Sequence, residues 1–161
     1  MLNQVKDLSG TITIWNDALV WSVFESNQLA IARGNELVLL DAKAIVVATG
    51  YDLYPLENLG EYGGGQVPDV IDGLAFEEML ATGEVRRPSD GKIPREVVFV
   101  QCAGSRDRER GVPYCSKVCC MYVAKQAMMF KERVPDGQAY VFYIDIRSAG
   151  KGYDEYVQRA M

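Results

Sequence analysis

Apolar and polar positions change their period along this chain, and each change marks a different kind of element. Between Thr11 and Leu40 short runs alternate: Thr11–Trp15, Leu19–Phe24, Leu29–Arg33 and Glu36–Leu40. Asn16-Asp17, Ser26-Asn27 and Gly34-Asn35 stand between them as turn dipeptides, so this stretch predicts an antiparallel meander. Ala44–Ala48 (AIVVA) is continuously apolar, which predicts a strand buried on both faces and ending at Thr49-Gly50. Residues 51–95 carry Gly63-Gly64-Gly65 and Pro55, Pro68, Pro88 and Pro94, and read as an irregular crossover with one short helix near Gly73–Ala81. Glu96–Gln101 (EVVFVQ) then predicts a buried strand, and Cys102–Tyr114 a polar loop. Cys115–Arg133 has high helix propensity and is stopped by Pro135-Asp136-Gly137, after which Ala139–Ile146 predicts another strand. Gly150-Lys151-Gly152 turns the chain into a last helix that runs toward Met161.

Strand, helix, strand in that order predicts a right-handed unit whose two strands are parallel. The expected fold class is therefore α/β, an antiparallel β-meander followed by a Rossmann-like βαβ unit. Residues 1–50 form the meander and the AIVVA strand, 51–95 the crossover, and 96–161 the second unit.

Composition narrows the function. The 161 residues are 48% apolar and 24% charged, which is globular usage and excludes collagen-like, coiled-coil and disordered chains. No apolar run approaches the roughly 18–20 residues of a membrane span, and the N-terminus lacks a basic-then-apolar export signal. The expected location is cytoplasmic. With 17 basic and 22 acidic residues the net charge is −5, and no Lys/Arg stripe is present to neutralise phosphates, so nucleic acid is not an expected partner. There is no histidine, which excludes His-based triads and mixed Cys/His zinc sites.

All four cysteines, Cys102, Cys115, Cys119 and Cys120, fall within 19 residues in the spacing C-x12-C-x3-C-C. Cys102 leaves the carboxyl end of a predicted strand, and the other three open the predicted helix. On an ideal helix Cys119 lies about 40° and Cys120 about 140° from Cys115, at roughly 100° per residue. The four thiols are thus expected to converge beyond the strand ends, where open α/β sheets place ligands. A helix N-terminus also favours thiolates through its free N–H groups and dipole. Four thiolates suit a 4Fe–4S cluster or zinc. A vicinal Cys119-Cys120 pair spans the separate irons of a cubane more comfortably than one tetrahedral ion, which favours the cluster. A zinc-stabilised interaction domain, a redox disulfide and inert buried thiols are the alternatives.

The stretch VVFVQCAGSRDRERGVPYCSKVCCMYVAKQAMMFKERVPD, followed by VFYIDIRSAGKGYDEYVQRA, resembles the A subunit of heterodisulfide reductase and its relatives. The likeness begins near Ala42-Lys-Ala-Ile-Val-Val-Ala-Thr-Gly and runs to the C-terminus, and its most specific parts are QCAGSRD and YCSKVCCMY. The resemblance implies an FAD-dependent oxidoreductase with a thioredoxin-reductase-like core, whose four cysteines hold a 4Fe–4S cluster. It also implies electron exchange among the flavin, ferredoxin-type carriers and other heterodisulfide-reductase-like redox subunits. Complete members open with a strand, G-x-G-x-x-G and a helix for the FAD pyrophosphate, an element this chain does not contain. It is therefore expected to be an internal fragment, a split-gene product or one piece of a larger complex.

Three further sites follow from the same reading. Ala48-Thr49-Gly50 resembles the segment that approaches the flavin in flavoproteins with two dinucleotide domains. Gly104-Ser105-Arg106-Asp107 replaces the glycine-rich loop that a nicotinamide domain would place here. With Cys102 at the loop start and the third glycine missing, nicotinamide is not expected to bind, and Ser105 stands as a candidate cofactor contact. Lys125 projects from an apolar stretch with Val118, Met121, Met128 and Met129 as helical neighbours. Either it snorkels to the surface, or it places a cation beside a reduced flavin. Arg147, at the end of the second strand, is expected in a salt bridge.

Overall fold

The structure is a computed structural model that describes residues 12–161. The chain divides into two compact units after Tyr51.

The first unit is an antiparallel sheet of β1 (Ala18–Val23), β2 (Gln28–Arg33) and β3 (Glu36–Asp41) with β2 in the centre. The predicted turn dipeptides set its register. Arg33 pairs with Glu36 across Gly34-Asn35, and Gly34 takes φ 57°, the left-handed conformation that the first position of a type II′ turn requires. The β1–β2 register shifts between Val20 and Ser22, a bulge at Trp21. Ala30 and Ile31 of the central strand are its buried residues.

Two predicted strands of this unit do not form. Thr11 lies outside the described residues, and 12–15 carry no strand; Trp15 instead sits under the guanidinium of Arg33, 5.5 Å from its ring centre. Residues 44–48 are likewise outside any sheet, with Val46 87% and Val47 80% exposed. A strand buried on both faces needs neighbours and covering layers. None of the described residues pairs with this segment.

The second unit is built on β4 (Glu96–Val100) and β5 (Gln138–Phe142), which pair in parallel from Glu96↔Gln138 to Val100↔Phe142. Between them runs α2 (Cys119–Arg133), before them α1 (Gly73–Thr82), and after them α3 (Tyr153–Ala160), which packs against α2. The fold class is α/β, as expected. Local chemistry explains the helix ends. Asp72 caps α1 by accepting from the Leu74 and Ala75 amides at 2.9 and 2.8 Å, and Gly83 closes it at φ 87°. At the end of α2, Lys131 Nζ donates to the Pro135 and Gly137 carbonyls, placing a cation on the negative pole of the helix.

Phe76 and Leu80 of α1, Val85, Phe99 of β4, and Val123, Ala127 and Phe130 of α2 form one core. The 51–95 stretch, expected as an irregular crossover, supplies three of these side chains. Arg133 ties α2 to α1 by donating to the Leu80 carbonyl at 2.6 and 3.0 Å. Gln126, almost wholly buried, donates to Gly73 O at 2.9 Å and to Glu77 at 3.0 Å. The other sheet face, with Val98, Tyr140 and Phe142, is exposed.

Candidate metal centre

Cys102 stands at the carboxyl end of β4, where Gln101 adds one more rung by donating to Phe142 O at 2.8 Å. There the chain leaves the sheet abruptly. Cys102, Gly104 and Arg106 adopt φ of 61°, 72° and 59°, left-handed residues separated by single residues that are not. The amides of Arg106 and Asp107 are tied down inside the loop, donating to Tyr114 O and Val112 O at 3.2 Å each. Gly104 is required twice, since a Cβ there would also run into the ring of Tyr54. Tyr54 in turn donates its hydroxyl to Arg110 O at 2.7 Å and pins the far side of the loop. Within the loop, Ser105 N donates to Cys102 O at 2.9 Å, and Asp107 accepts from the Glu109 and Arg110 amides.

The helix that follows starts later than its propensity predicts. It begins at Cys119, not Cys115, because Lys117 is left-handed at φ 61° and interrupts helical geometry. Cys115 therefore belongs to the preceding turn, where its Sγ accepts from the Lys117 amide at 3.3 Å. The ideal-helix angles between Cys115 and the other two thiols do not apply. Cys119 and Cys120 occupy the first helical turn, where free N–H groups and the dipole favour negative sulfur.

Cys120 is the buried thiol of the set, and its surroundings include Cys119 and Cys102. Burial pushes the Cys120 thiol up; the Arg147 amide, donating to its Sγ at 3.4 Å, opposes this, and the neighbouring Cys119 and Cys102 raise it further. All four cysteines are free thiols. Among the described residues, no three His, Cys, Asp or Glu side chains are already arranged about a single metal-ion position. The donor set still fits an iron–sulfur group: four soft thiols, one at a strand end, one in a turn and two at a helix start. Gln101 strengthens that fit. It is 7% exposed, precedes Cys102, and both polar atoms of its side chain lack a protein partner, whereas buried amides are ordinarily bonded.

Sequence reasoning missed the charged group beside these thiols. Arg106 Nη1 lies 2.6 Å from Asp145 Oδ1 and 4.0 Å from Cys102 Sγ. Arg147 Nε donates to the same Asp145 oxygen at 3.2 Å, the salt bridge expected for Arg147. The hydrogen bonds from Arg147 and then Arg106 hold the Asp145 carboxyl below its ordinary range. Arg106 and Asp145 are 39 residues apart, and no local pattern links them.

Ala48, Thr49 and Gly50, the flavin-side candidates of the first unit, are exposed, with Gly50 at φ 75°. Lys125, the candidate of the second unit, is neither free nor buried: its Nζ pairs with Glu77 at 2.5 Å, joining α2 to α1. Glu77 is held below the usual carboxylate range chiefly by that hydrogen bond.

No family model matches the chain. Curated relatives do. It is 46% identical over 131 residues to the A subunit of the H(2):CoB-CoM heterodisulfide,ferredoxin reductase of Methanothermobacter marburgensis, covering 78% of this chain and 20% of that protein. It is 44% identical over 133 residues to the iron-sulfur A subunit, form 1, of the CoB--CoM heterodisulfide reductase of Methanopyrus kandleri, with the same coverage. A third relative is the A subunit of the Ferredoxin/F(420)H(2)-dependent CoB-CoM heterodisulfide reductase of Methanosarcina acetivorans. It is 46% identical over 129 residues, or 77% of this chain and 16% of that protein. The chain thus spans about a fifth or less of the length of the curated relatives it matches. Over the segment that it shares with them, the chain belongs to the family of heterodisulfide reductase A subunits.

Proposed function

We propose that this chain is an electron-transfer module in which Cys102, Cys115, Cys119 and Cys120 hold a 4Fe–4S cluster. The observation that carries the reading is geometric. Where β4 ends and α2 begins, Arg106 Nη1 lies 4.0 Å from Cys102 Sγ and the Arg147 amide donates to Cys120 Sγ at 3.4 Å. Both arginines sit on one Asp145 oxygen, so the strand-end and helix-start thiols share one neighbourhood. The relatives' names, one of them naming an iron-sulfur protein, support it. When bound, the cluster supplies one-electron transfer. The protein's own part is to present the thiolates, donate the Arg147 amide to Cys120 Sγ, and keep the 102–114 loop in place through Tyr54. No proton relay through imidazole is involved, since the chain has no histidine.

Electrons are proposed to pass between this centre, FAD and partner redox subunits of the heterodisulfide reductase type or ferredoxin-type carriers. Ala48, Thr49 and Gly50 are the residues proposed to meet the flavin. Among the described residues, no helix is long and apolar enough to cross a membrane.

The test is anaerobic purification or reconstitution with iron and sulfide. About four irons and four sulfides per chain are expected, with a reducible EPR-active centre. Stoichiometric zinc without sulfide would mean a structural metal domain instead. A second measurement concerns FAD. The sequence has no G-x-G-x-x-G between a strand and a helix, so the chain alone is expected to bind FAD weakly or not at all. Stoichiometric yellow flavin retained through gel filtration would contradict this.

A further inference from the structure

The Arg106–Asp145–Arg147 cluster has a place that ordinary surface ion pairs do not have. Asp145 and Arg147 follow β5, whereas Arg106 lies in the loop after β4. Through one carboxylate oxygen the two arginines are bound together, and each also reaches a different cysteine. Arg106 Nη1 approaches Cys102 Sγ at 4.0 Å, and the Arg147 amide donates to Cys120 Sγ at 3.4 Å. The Arg106 side chain is only 21% exposed, so its charge is less screened than a free surface arginine's. Arg106 is itself left-handed at φ 59°, and its amide donates to Tyr114 O at 3.2 Å. An uncommon backbone conformation of this kind persists where its surroundings hold it.

We propose that Arg106, aimed by Asp145, sets the reduction potential of the centre held by Cys102, Cys115, Cys119 and Cys120. This rests on the iron–sulfur reading above and adds a role for two side chains that are not ligands. One-electron reduction by a low-potential donor adds one negative charge to the thiolate-bound group and needs no proton. A guanidinium 4.0 Å from a ligating sulfur favours that added charge, so it raises the potential. Asp145, whose carboxylate meets the same Nη1 at 2.6 Å, opposes it through its own negative charge. Arg106 is therefore a positioning and electrostatic residue.

The two members of the ion pair make opposite predictions, which separates tuning from mere structural support. In the reconstituted chain, midpoint potentials are read by EPR-monitored redox titration with iron and sulfide counted in each sample. Arg106→Gln is expected to lower the ratio of reduced to oxidised centre about tenfold at a fixed potential, a shift of about 59 mV for a one-electron couple. Arg106→Lys keeps the charge without the fork and should fall between Arg106→Gln and wild type. Asp145→Asn keeps an amide oxygen that can accept from Arg106 Nη1, and so keeps its aim while removing the negative charge; it is expected to shift the potential the other way, by less. If the pair only braces the loop, Arg106→Gln and Asp145→Asn will both leave the potential unmoved, or move it in the same direction, at full iron content. Either result overturns the proposal. Should Arg106→Gln fail to take up iron, the upward shift in Asp145→Asn and the intermediate value in Arg106→Lys decide it, and their absence overturns it. Wild-type chain that takes up no iron and sulfide would overturn the iron–sulfur reading itself, and this proposal with it.

Discussion

Cys120→Ser is expected to lose most of the iron and sulfide that the wild-type chain takes up, leaving less than about one iron of the four in a cubane. Cys120 is the buried member of the set, at 5% exposure, it adjoins Cys119 at the helix start, and its Sγ accepts from the Arg147 amide at 3.4 Å. Serine supplies a shorter, harder and less readily ionised ligand at the position where these contacts cross. Its effect should exceed that of Cys102→Ser. Cys102 closes a loop of twelve intervening residues, and the entropy of closing such a loop grows only slowly with its length. The remaining ligands can still capture iron, so Cys102→Ser is expected to give a labile or three-iron centre with an altered potential. Iron and sulfide assays with EPR distinguish the two, and circular dichroism checks that each variant is folded. Full iron content with an unchanged spectrum in Cys120→Ser would remove it from the centre. The same result in Cys102→Ser would mean that Cys102 is only a half-buried thiol beside the strand.

Phe130→Ala is expected to destabilise the second unit by about 3–5 kcal/mol, the range for emptying a buried aromatic site. Phe130 is 0% exposed and tilts against Phe76 with ring centres 6.5 Å apart; Phe76 meets Phe99 of β4 edge-on at 5.4 Å. Three elements therefore meet at one ring stack, and a cavity there opens toward all of them. The melting temperature should fall by roughly 10–20 °C for a unit of this size. Thermal unfolding followed by circular dichroism reads it directly. A fall of less than about 2 °C would show that α1 is not packed on α2 as the structure has it. Because Phe130 lies on α2 well beyond Cys120, iron uptake at low temperature should survive the change, unlike in Cys120→Ser.

Much of the local architecture was legible in the chain. Gly34-Asn35 and Ser26-Asn27 placed the hairpins because turn chemistry is decided within a few residues. The EVVFV and AYVF runs, with a helix-forming stretch between them, foretold the parallel pair, since a short crossover leaves few other arrangements. The cysteine spacing and the absence of histidine narrowed the chemistry to thiolate ligation.

Elsewhere local pattern misled. The segment AIVVA has the composition of a central strand, yet a strand needs partners, and the described residues provide none. The helix propensity around Cys115 was overridden by one left-handed residue, Lys117, which moves Cys115 into a turn. Glycine and proline made 51–95 look irregular, while Phe76, Leu80 and Val85 within it supply the core.

By itself, then, the sequence determined the hairpins, the parallel strand pair, the four-cysteine set proposed as ligands and the family, all of which depend on neighbouring residues or on the order of short motifs. Only the tertiary structure decided that Cys115 lies in a turn before the helix, that Lys125 is taken by Glu77, and that Arg106 and Asp145 form one charged group beside Cys102. The physical reason is range. Turns and helix stops act over a few residues, whereas a salt bridge across 39 positions exists only after two strand ends have been brought side by side.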